Sequence, residues 1–273
     1  MDKIQPKKSL GQNFLRSKKA LQAIVEAGHI TEQDTVLEIG PGEGVLTEKL
    51  LEKAGQVVII EKDHRLIPLL QEKFSKEITS GKLKLIPGDV LDITIEEYIP
   101  TATAYKLIAN IPYYITGEIL RTFLEKQKQP EKIVLLVQKE VADRIMARDK
   151  KESILSLSVK IYGDPKREMV VNRESFKPVP NVDSAILSIS NISKNRLENV
   201  PGKFFFTLIK TGFGQKRKQL AGNLTKLFKK EDVVKAFTEC SVAIQARSED
   251  LSLQTWIELS KKLFREMSHE TVK

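Results

Sequence analysis

The 273-residue sequence predicts an α/β fold, a doubly wound and mostly parallel sheet, followed by a small all-α C-terminal domain. Three observations carry that expectation. Apolar runs of strand length recur at 35–39, 57–60, 83–86, 105–109 and 133–137, with helical spacing in most of the gaps. The first run leads straight into Gly40-Pro41-Gly42-Glu43-Gly44, a glycine loop that opens a helix. Beyond a polar stretch at 191–202 the strand pattern stops and only helical periodicity continues, which sets expected domains at 1–192 and 193–273.

The first 19 residues carry Lys3, Lys7, Lys8, Arg16, Lys18 and Lys19 around an uncharged SLGQNFL at 9–15. Alone, that reads as a solvated basic arm. Leu21, Ile24 and Val25 then place a helix over 18–27, so that arm and helix occupy residues 1–30. The run 35–39 is a buried-strand candidate, and Val45, Leu46, Leu50 and Leu51 give the helix after the glycines. Strand, glycine loop and helix make the first unit of a nucleotide-binding α/β fold, in which bare backbone approaches a ligand. Gly40 and Gly42 are the candidate contacts, with a plain tight turn as the alternative. The spacing is GxGxG followed by Val45, so the dinucleotide pattern GxGxxG is missed.

The second strand, 57–60, ends in Glu61. An acidic residue there, about 20 residues past the glycine loop, is placed to bind both hydroxyls of a ribose. The bland alternative is a surface carboxylate at a strand end. Helical spacing at Leu66, Leu69, Leu70 and Phe74 covers 64–76, and the third strand, 83–86, ends in Pro87-Gly88-Asp89. Asp89 sits where a carboxylate can accept a hydrogen bond from the amino group of an adenine. The fourth strand, 105–109, delivers Asn110-Ile111-Pro112-Tyr113-Tyr114 onto the loop at its carboxyl end, where open α/β sheets place their ligands. An amide, a proline and aromatic rings there suit a planar heterocycle that bears an amine. The fifth strand, 133–137, runs on into a helix over 139–148. Four successive strand ends thus line up a cofactor site and then a reaction site.

Residues 153–162 fit a helix and a strand equally well. The segment FKPVPNVDS at 176–184 is extended by its prolines and feeds a last strand at 185–189. Phe176 is either a core anchor or a ring that covers a base from the side opposite Tyr113. Helices are expected at 204–211, 216–228, 231–240 and 253–264. Between 203 and 230 there are eight basic residues, Lys216, Arg217 and Lys218 among them, and no acidic one. A solvated helix face usually mixes signs, so this stretch points to phosphate binding.

Composition sets the outer bounds. Hydrophobic residues at 41% and charged residues at 30% are ordinary for a globular chain, and the net charge of +9 favours a polyanionic partner. Cys240 is the only cysteine, and His29, His64 and His269 are scattered, so neither a disulfide framework nor a metal site is expected. A reducing cytoplasm fits. There is no run of ~18 apolar residues to cross a membrane, and the amino terminus lacks the apolar stretch of a signal peptide. Nothing in the composition asks for an obligate dimer, so a monomer is expected.

The glycine loop, Glu61 and Asp89 together resemble a class I S-adenosylmethionine-dependent methyltransferase, and NIPYY narrows this to enzymes that methylate exocyclic amines of bases. Read with SLGQNFL at 9–15, EIGPGEG at 38–44, FKPVPNVDS at 176–184 and GFGQKRKQLAGNL at 212–224, the chain is similar throughout to the KsgA/RsmA ribosomal RNA adenine dimethyltransferases. The resemblance implies S-adenosylmethionine as methyl donor, with no metal. It implies dimethylation at N6 of two adjacent adenosines near the 3′ end of small-subunit ribosomal RNA, within a pre-30S particle. Carried onto this sequence, Asn13 and Leu15 would close over the donor. Gly40 would approach its methionine portion, Glu61 its ribose and Asp89 its adenine amino group. Asn110 would lie between donor and target, with Tyr113 stacking on the base and Phe176 as second aromatic contact. The family's arginine-arginine-lysine run reads Lys216-Arg217-Lys218 here, which keeps the charge but weakens bidentate phosphate contact. Its RAE-like element reads Arg247-Ser248-Glu249. Two other readings stand beside this one. An Erm-type large-subunit methyltransferase shares the amino-terminal motifs, and a non-catalytic assembly factor would need only the basic helical domain.

Overall fold

The computed structural model describes Lys7, residues 11–215 and residues 218–270. The chain divides into two compact units, Met1–Ala142 with Gly163–Ile192, and Asp143–Tyr162 with Ser193–Lys273.

The first unit opens with a two-residue strand, β1 (Phe14–Leu15), and helix α1 (Lys18–Gly28). Ser17 caps α1, its hydroxyl accepting the Ala20 N–H at 3.2 Å, and Leu21, Ile24 and Val25 form the buried face. There follow β2 (Thr35–Ile39), α2 (Val45–Leu51), β3 (Gln56–Glu61), α3 (Ile67–Lys73), α4 (Ser75–Thr79), β4 (Leu83–Pro87), β5 (Tyr105–Asn110), α5 (Thr116–Glu125) and β6 (Lys132–Gln138). Helix α6 (Lys139–Met146) leads the chain into the second unit, which holds α7 (Ile154–Lys160). The chain then returns for β7 (Asp164–Val171), β8 (Phe176–Lys177) and β9 (Ser184–Ser190).

Seven strands form one sheet in the order β4-β3-β2-β5-β6-β9-β7, and β1 pairs with β8 in a separate antiparallel ribbon. The first five are mutually parallel, while β9 runs antiparallel to both β6 and β7. The apolar runs read from the sequence are the central strands. Every residue of β2 is buried, as is all of β6 except its two ends. Parallel strands covered on both faces need this unbroken apolar character. Each large aliphatic side chain removed from water there contributes about 1.5–3 kcal/mol.

Two elements depart from expectation here, and a segment left open is decided. Strand β7, absent from the sequence reading, carries Lys166, Arg167 and Glu168 on a half-exposed edge with a bulge between Arg167 and Met169. Edge strands are often charged and bulged, which blunts further pairing and erases the apolar signature. The helix expected over 64–76 divides at Phe74 into α3 and α4. Of residues 153–162, Ile154–Lys160 is helical, and a serine pair settles it. The Ser153 hydroxyl accepts the Ser156 N–H at 3.1 Å while the Ser156 hydroxyl accepts the Ser153 N–H at 2.7 Å, a reciprocal cap.

The second unit is helical, with α8 (Gly202–Gly212), α9 (Leu220–Leu224), α10 (Lys230–Glu239) and α11 (Leu253–Glu270) beside α7. Phe205, Leu208, Leu224, Phe237, Trp256, Leu259 and Leu263 are buried there. The long helix expected over 216–228 is shorter among the described residues, where only Leu220–Leu224 is α-helical. No helix among the described residues is long and apolar enough to cross a membrane.

Candidate active site

Backbone hydrogen bonds bring neighbouring strand tips into line. The Gly40 N–H donates to the Ile60 carbonyl at 2.9 Å, and the Gly88 N–H to that of Glu61 at 2.9 Å. Above the carboxyl ends of β2, β3, β4 and β5 lies a cavity of about 300 Å³. Gly40, Gly42, Glu61, Asp89, Asn110, Pro112 and Tyr113 all line it, and so do Asn13 and Leu15. Tertiary structure thus gathers nearly every residue singled out as a donor or base contact.

Gly40 and Gly44 have φ of +64° and +76°, the left-handed region that glycine enters without steric penalty. They differ in surroundings. A Cβ on Gly40 would meet nothing within 4 Å, whereas one on Gly44 would fall 2.6 Å from the buried ring of Phe74. The first glycine keeps the cavity open and the second lets α2 pack.

Glu61 is buried. Its Oε1 accepts the Asp63 N–H at 2.7 Å and its Oε2 accepts the Gly42 N–H at 3.2 Å, so the carboxylate is held rigidly against the glycine loop. Burial pushes its pKa up, and the backbone N–H groups of Asp63 and Gly42 oppose that rise. Burial also tends to raise the Asp89 carboxyl. The bond from Lys62 Nζ at 2.6 Å and the Leu91 N–H outweigh it and leave the net pKa below the ordinary value. Two acceptors of different exposure therefore stand at adjacent strand tips. A third carboxyl, Glu38, also lines the cavity. It is fully buried on β2, where the Thr47 hydroxyl donates to it at 2.6 Å, and burial pushes its pKa up to about 8.

Asn110 ends β5. Its Nδ2 donates to the Asn13 carbonyl at 3.1 Å, which leaves Oδ1 free to accept. Pro112 carries the chain into a short 3₁₀ turn, Tyr113–Ile115. Tyr113 is half-buried, its hydroxyl 2.6 Å from that of Ser184. Burial raises its phenol pKa against the lowering effect of Ser184, so the ring is neutral and its face serves stacking.

Residues 11–16 are packed against the site, where charge alone reads a solvated arm and the resemblance places Asn13 and Leu15 over the donor; Lys3 and Lys8 lie outside the described residues. Leu15 pairs with Phe176 and Phe14 with Lys177 in the β1-β8 ribbon. The Phe14 ring lies against Gly42, where a Cβ would come within 2.8 Å. Arg16 bridges to Glu43 at 2.8 Å, and Gln12 Nε2 reaches Asp63 Oδ2 at 3.0 Å. Asp63 is itself gripped by Arg65, which holds its carboxyl well below the usual range. Gln12, Asp63 and Ser184 went unnoticed as site residues, although the resemblance places Asn13 and Leu15 over the donor.

Phe176 does not line the cavity. It is 3% exposed and belongs to the hydrophobic core with Leu15, Val171 and Ile186. Lys216 and Arg217 lie outside the described residues. Lys218 is exposed, in the loop between α8 and α9. That loop hangs on Asn223, whose Nδ2 donates to the carbonyls of Gly212 at 2.6 Å and Gln215 at 3.2 Å. Among the described residues no cluster of His, Cys, Asp and Glu could hold a metal ion.

A parallel sheet finished by an antiparallel pair, with its cavity across the strand tips and an acidic residue ending β3, defines a class I methyltransferase fold. The chain belongs to the ribosomal RNA adenine dimethylase family, whose model matches residues 3–264. It is 40% identical to "Ribosomal RNA small subunit methyltransferase A" of Dehalococcoides mccartyi, over 94% of this chain and 88% of that one. Among solved structures it is similar to a dimethyladenosine transferase from Plasmodium falciparum, with a TM-score of 0.79 and 25% identity, over 93% of this chain and 98% of that chain. It is also similar to the 23S rRNA methyltransferase ErmE, with a TM-score of 0.74 and 26% identity, over 92% and 100% of the two chains.

Proposed function

We propose that this protein transfers methyl groups from S-adenosylmethionine to N6 of two adjacent adenosines near the 3′ end of small-subunit ribosomal RNA. It would act as a monomer, in the cytoplasm, on a pre-30S particle. The observation that carries the reading is the loop Asn110-Ile111-Pro112-Tyr113. It closes one side of the same cavity whose other side is built from Gly40, Glu61 and Asp89. The similarity to small-subunit enzymes favours this RNA over the large-subunit RNA of ErmE, since the curated relative is 40% identical and ErmE 26%.

The lining fits the donor. Open space at Gly40 admits a group against bare backbone. Glu61 accepts backbone N–H groups at both carboxylate oxygens and has acceptor capacity left for a ribose hydroxyl. Asp89 offers an acceptor for an adenine amino group, and Leu15 supplies apolar cover. When bound, the donor supplies an electrophilic methyl on a sulfonium, a leaving group that needs no acid.

The chain's own residues then act on the nucleophile. The N6 lone pair of adenine is delocalised into the ring, so attack needs a more pyramidal nitrogen. The Asn13 carbonyl fixes the Asn110 amide through Nδ2, which presents Oδ1 to an N6–H. That bond stabilises the positive charge that grows on N6 as the methyl is transferred. Tyr113 holds the unstacked base by its face, and Ser184 holds Tyr113 by its hydroxyl. Alignment is the main contribution of the protein. No side chain is needed as general base, because the cationic product nitrogen loses its proton to water.

Phosphate contacts are assigned to the helical unit, where Lys203, Lys210, Lys218, Lys226 and Lys230 are exposed. Incubation with labelled S-adenosylmethionine and unmethylated small subunits, with large subunits in parallel, tests the assignment. Dimethyladenosine from small subunits alone is expected, reduced roughly a hundredfold or more in Asn110→Ala. Label in large-subunit RNA alone would move the protein to the Erm class. RNA binding without any transfer would leave a non-catalytic assembly factor.

A further inference from the structure

Tyr113 and Tyr114 are consecutive and both line the cavity, yet they are held differently. Tyr113 is half-buried and tied to Ser184, whereas Tyr114 keeps 62% of its surface exposed, the most open of the large apolar side chains among the described residues. An exposed ring of that size is usually loose. This one is seated. A Cβ on Gly11 would stand 3.1 and 3.2 Å from two of its ring carbons and 3.3 Å from Pro112 Cβ. One edge of the ring thus rests where the bare backbone of Gly11 meets Pro112, and the rest faces solvent at the cavity mouth. A ring fixed in this way has little rotamer freedom left to lose when something stacks on it, which favours binding.

The geometry points to a second base site: we propose that Tyr114 is a stacking platform for the nucleobase next to the adenine undergoing methylation. This rests on the methyltransferase reading and adds a subsite to it. When one base enters the cavity against Tyr113, the strand must continue past the mouth, and its neighbour arrives at the next residue of the same turn. An aromatic face takes any base, so the platform supplies affinity and register without reading identity. Single-stranded RNA is the form that can present two such unstacked bases. Where the two targets are adjacent, one of them would occupy the platform while the other is modified, and a flanking base would take its place for the remaining target.

The test compares the unaltered protein with Tyr114→Ala and Tyr114→Phe on unmethylated small subunits, with S-adenosylmethionine affinity measured separately by calorimetry. Base–aromatic stacking leads us to expect a KM for small subunits raised roughly tenfold in Tyr114→Ala. The Kd for S-adenosylmethionine should stay within about twofold, and Tyr114→Phe should recover the original KM, because only the ring face is needed. An unchanged KM in Tyr114→Ala would overturn the platform. So would a loss of S-adenosylmethionine affinity in proportion to the loss of turnover, since the ring would then serve only to brace Gly11. No methyl transfer by the unaltered protein would sink the methyltransferase reading, and the platform with it.

Discussion

Replacing Glu38 with Gln changes how stability responds to pH, and the size of the effect follows from where the carboxyl sits. The group is fully buried on β2. Desolvation is the main cause of its raised pKa of about 8, and the nearby charge of Glu61 adds to it. The Thr47 hydroxyl and the Lys73 ammonium pull the other way. An acid whose folded pKa lies above its unfolded one destabilises the fold once the unfolded chain ionises. Below 4.5, the ordinary value, both states carry the proton and the penalty is absent. It grows as pH rises from 4.5 towards 8 and is complete above 8. At about 1.4 kcal/mol per pH unit over that window, the full penalty is on the order of 5 kcal/mol. Gln keeps the volume and an oxygen for Thr47 but cannot ionise. Its buried amide nitrogen adds a cost of about 1–3 kcal/mol that does not vary with pH. Urea unfolding of both proteins from pH 5 to pH 9 is the assay. We expect Glu38→Gln to gain several kcal/mol relative to the unaltered protein across that range. Parallel stability curves would refute the reasoning, because Glu38 would then be ionised in the folded state.

The roof over the cavity gives a second test. Gln12→Glu sets a carboxylate against Asp63 in place of the bond at 3.0 Å, and loss of a hydrogen bond to a charged group weakens S-adenosylmethionine binding roughly tenfold. An unchanged Kd by calorimetry would mean that the segment closes without that clasp. Two glycines separate binding from folding. Gly44→Ala combines a left-handed backbone with a Cβ 2.6 Å from Phe74, so thermal unfolding should show a loss of about 2–5 kcal/mol. Gly40→Ala carries only the backbone term, about 1–2 kcal/mol, and its methyl stands in open space, so donor affinity should fall more than stability. The opposite ranking in paired melting and binding measurements would contradict this division.

Much of the catalytic unit was legible because its signals are local. Strands β2, β3, β5 and β6 are buried on both faces and therefore read as apolar runs. Residues that line the cavity sit at or just past the ends of those runs, so Glu61, Asp89 and Asn110 could be located by counting to strand tips. Strand β7 escaped because an edge exposed to water has no reason to be apolar. Phe176 shows where residue and motif readings diverge: the residue alone reads as a core anchor and the resemblance makes it a base contact, and in the folded chain it packs in the core beside Leu15.

Sequence by itself determined the five parallel strands and their order along the chain, the glycine loop, the acidic strand ends and the amide-proline-aromatic loop, since periodicity and turn chemistry act over a few residues. Motif resemblance placed Asn13 and Leu15 over them, but only tertiary structure decided which contacts hold that cover down. The Leu15–Phe176 pairing, the Gln12–Asp63 clasp and the Asn13 carbonyl beneath the Asn110 amide join residues far apart in the chain. Such contacts leave no period in the sequence, because each depends on where the sheet has already carried its partner.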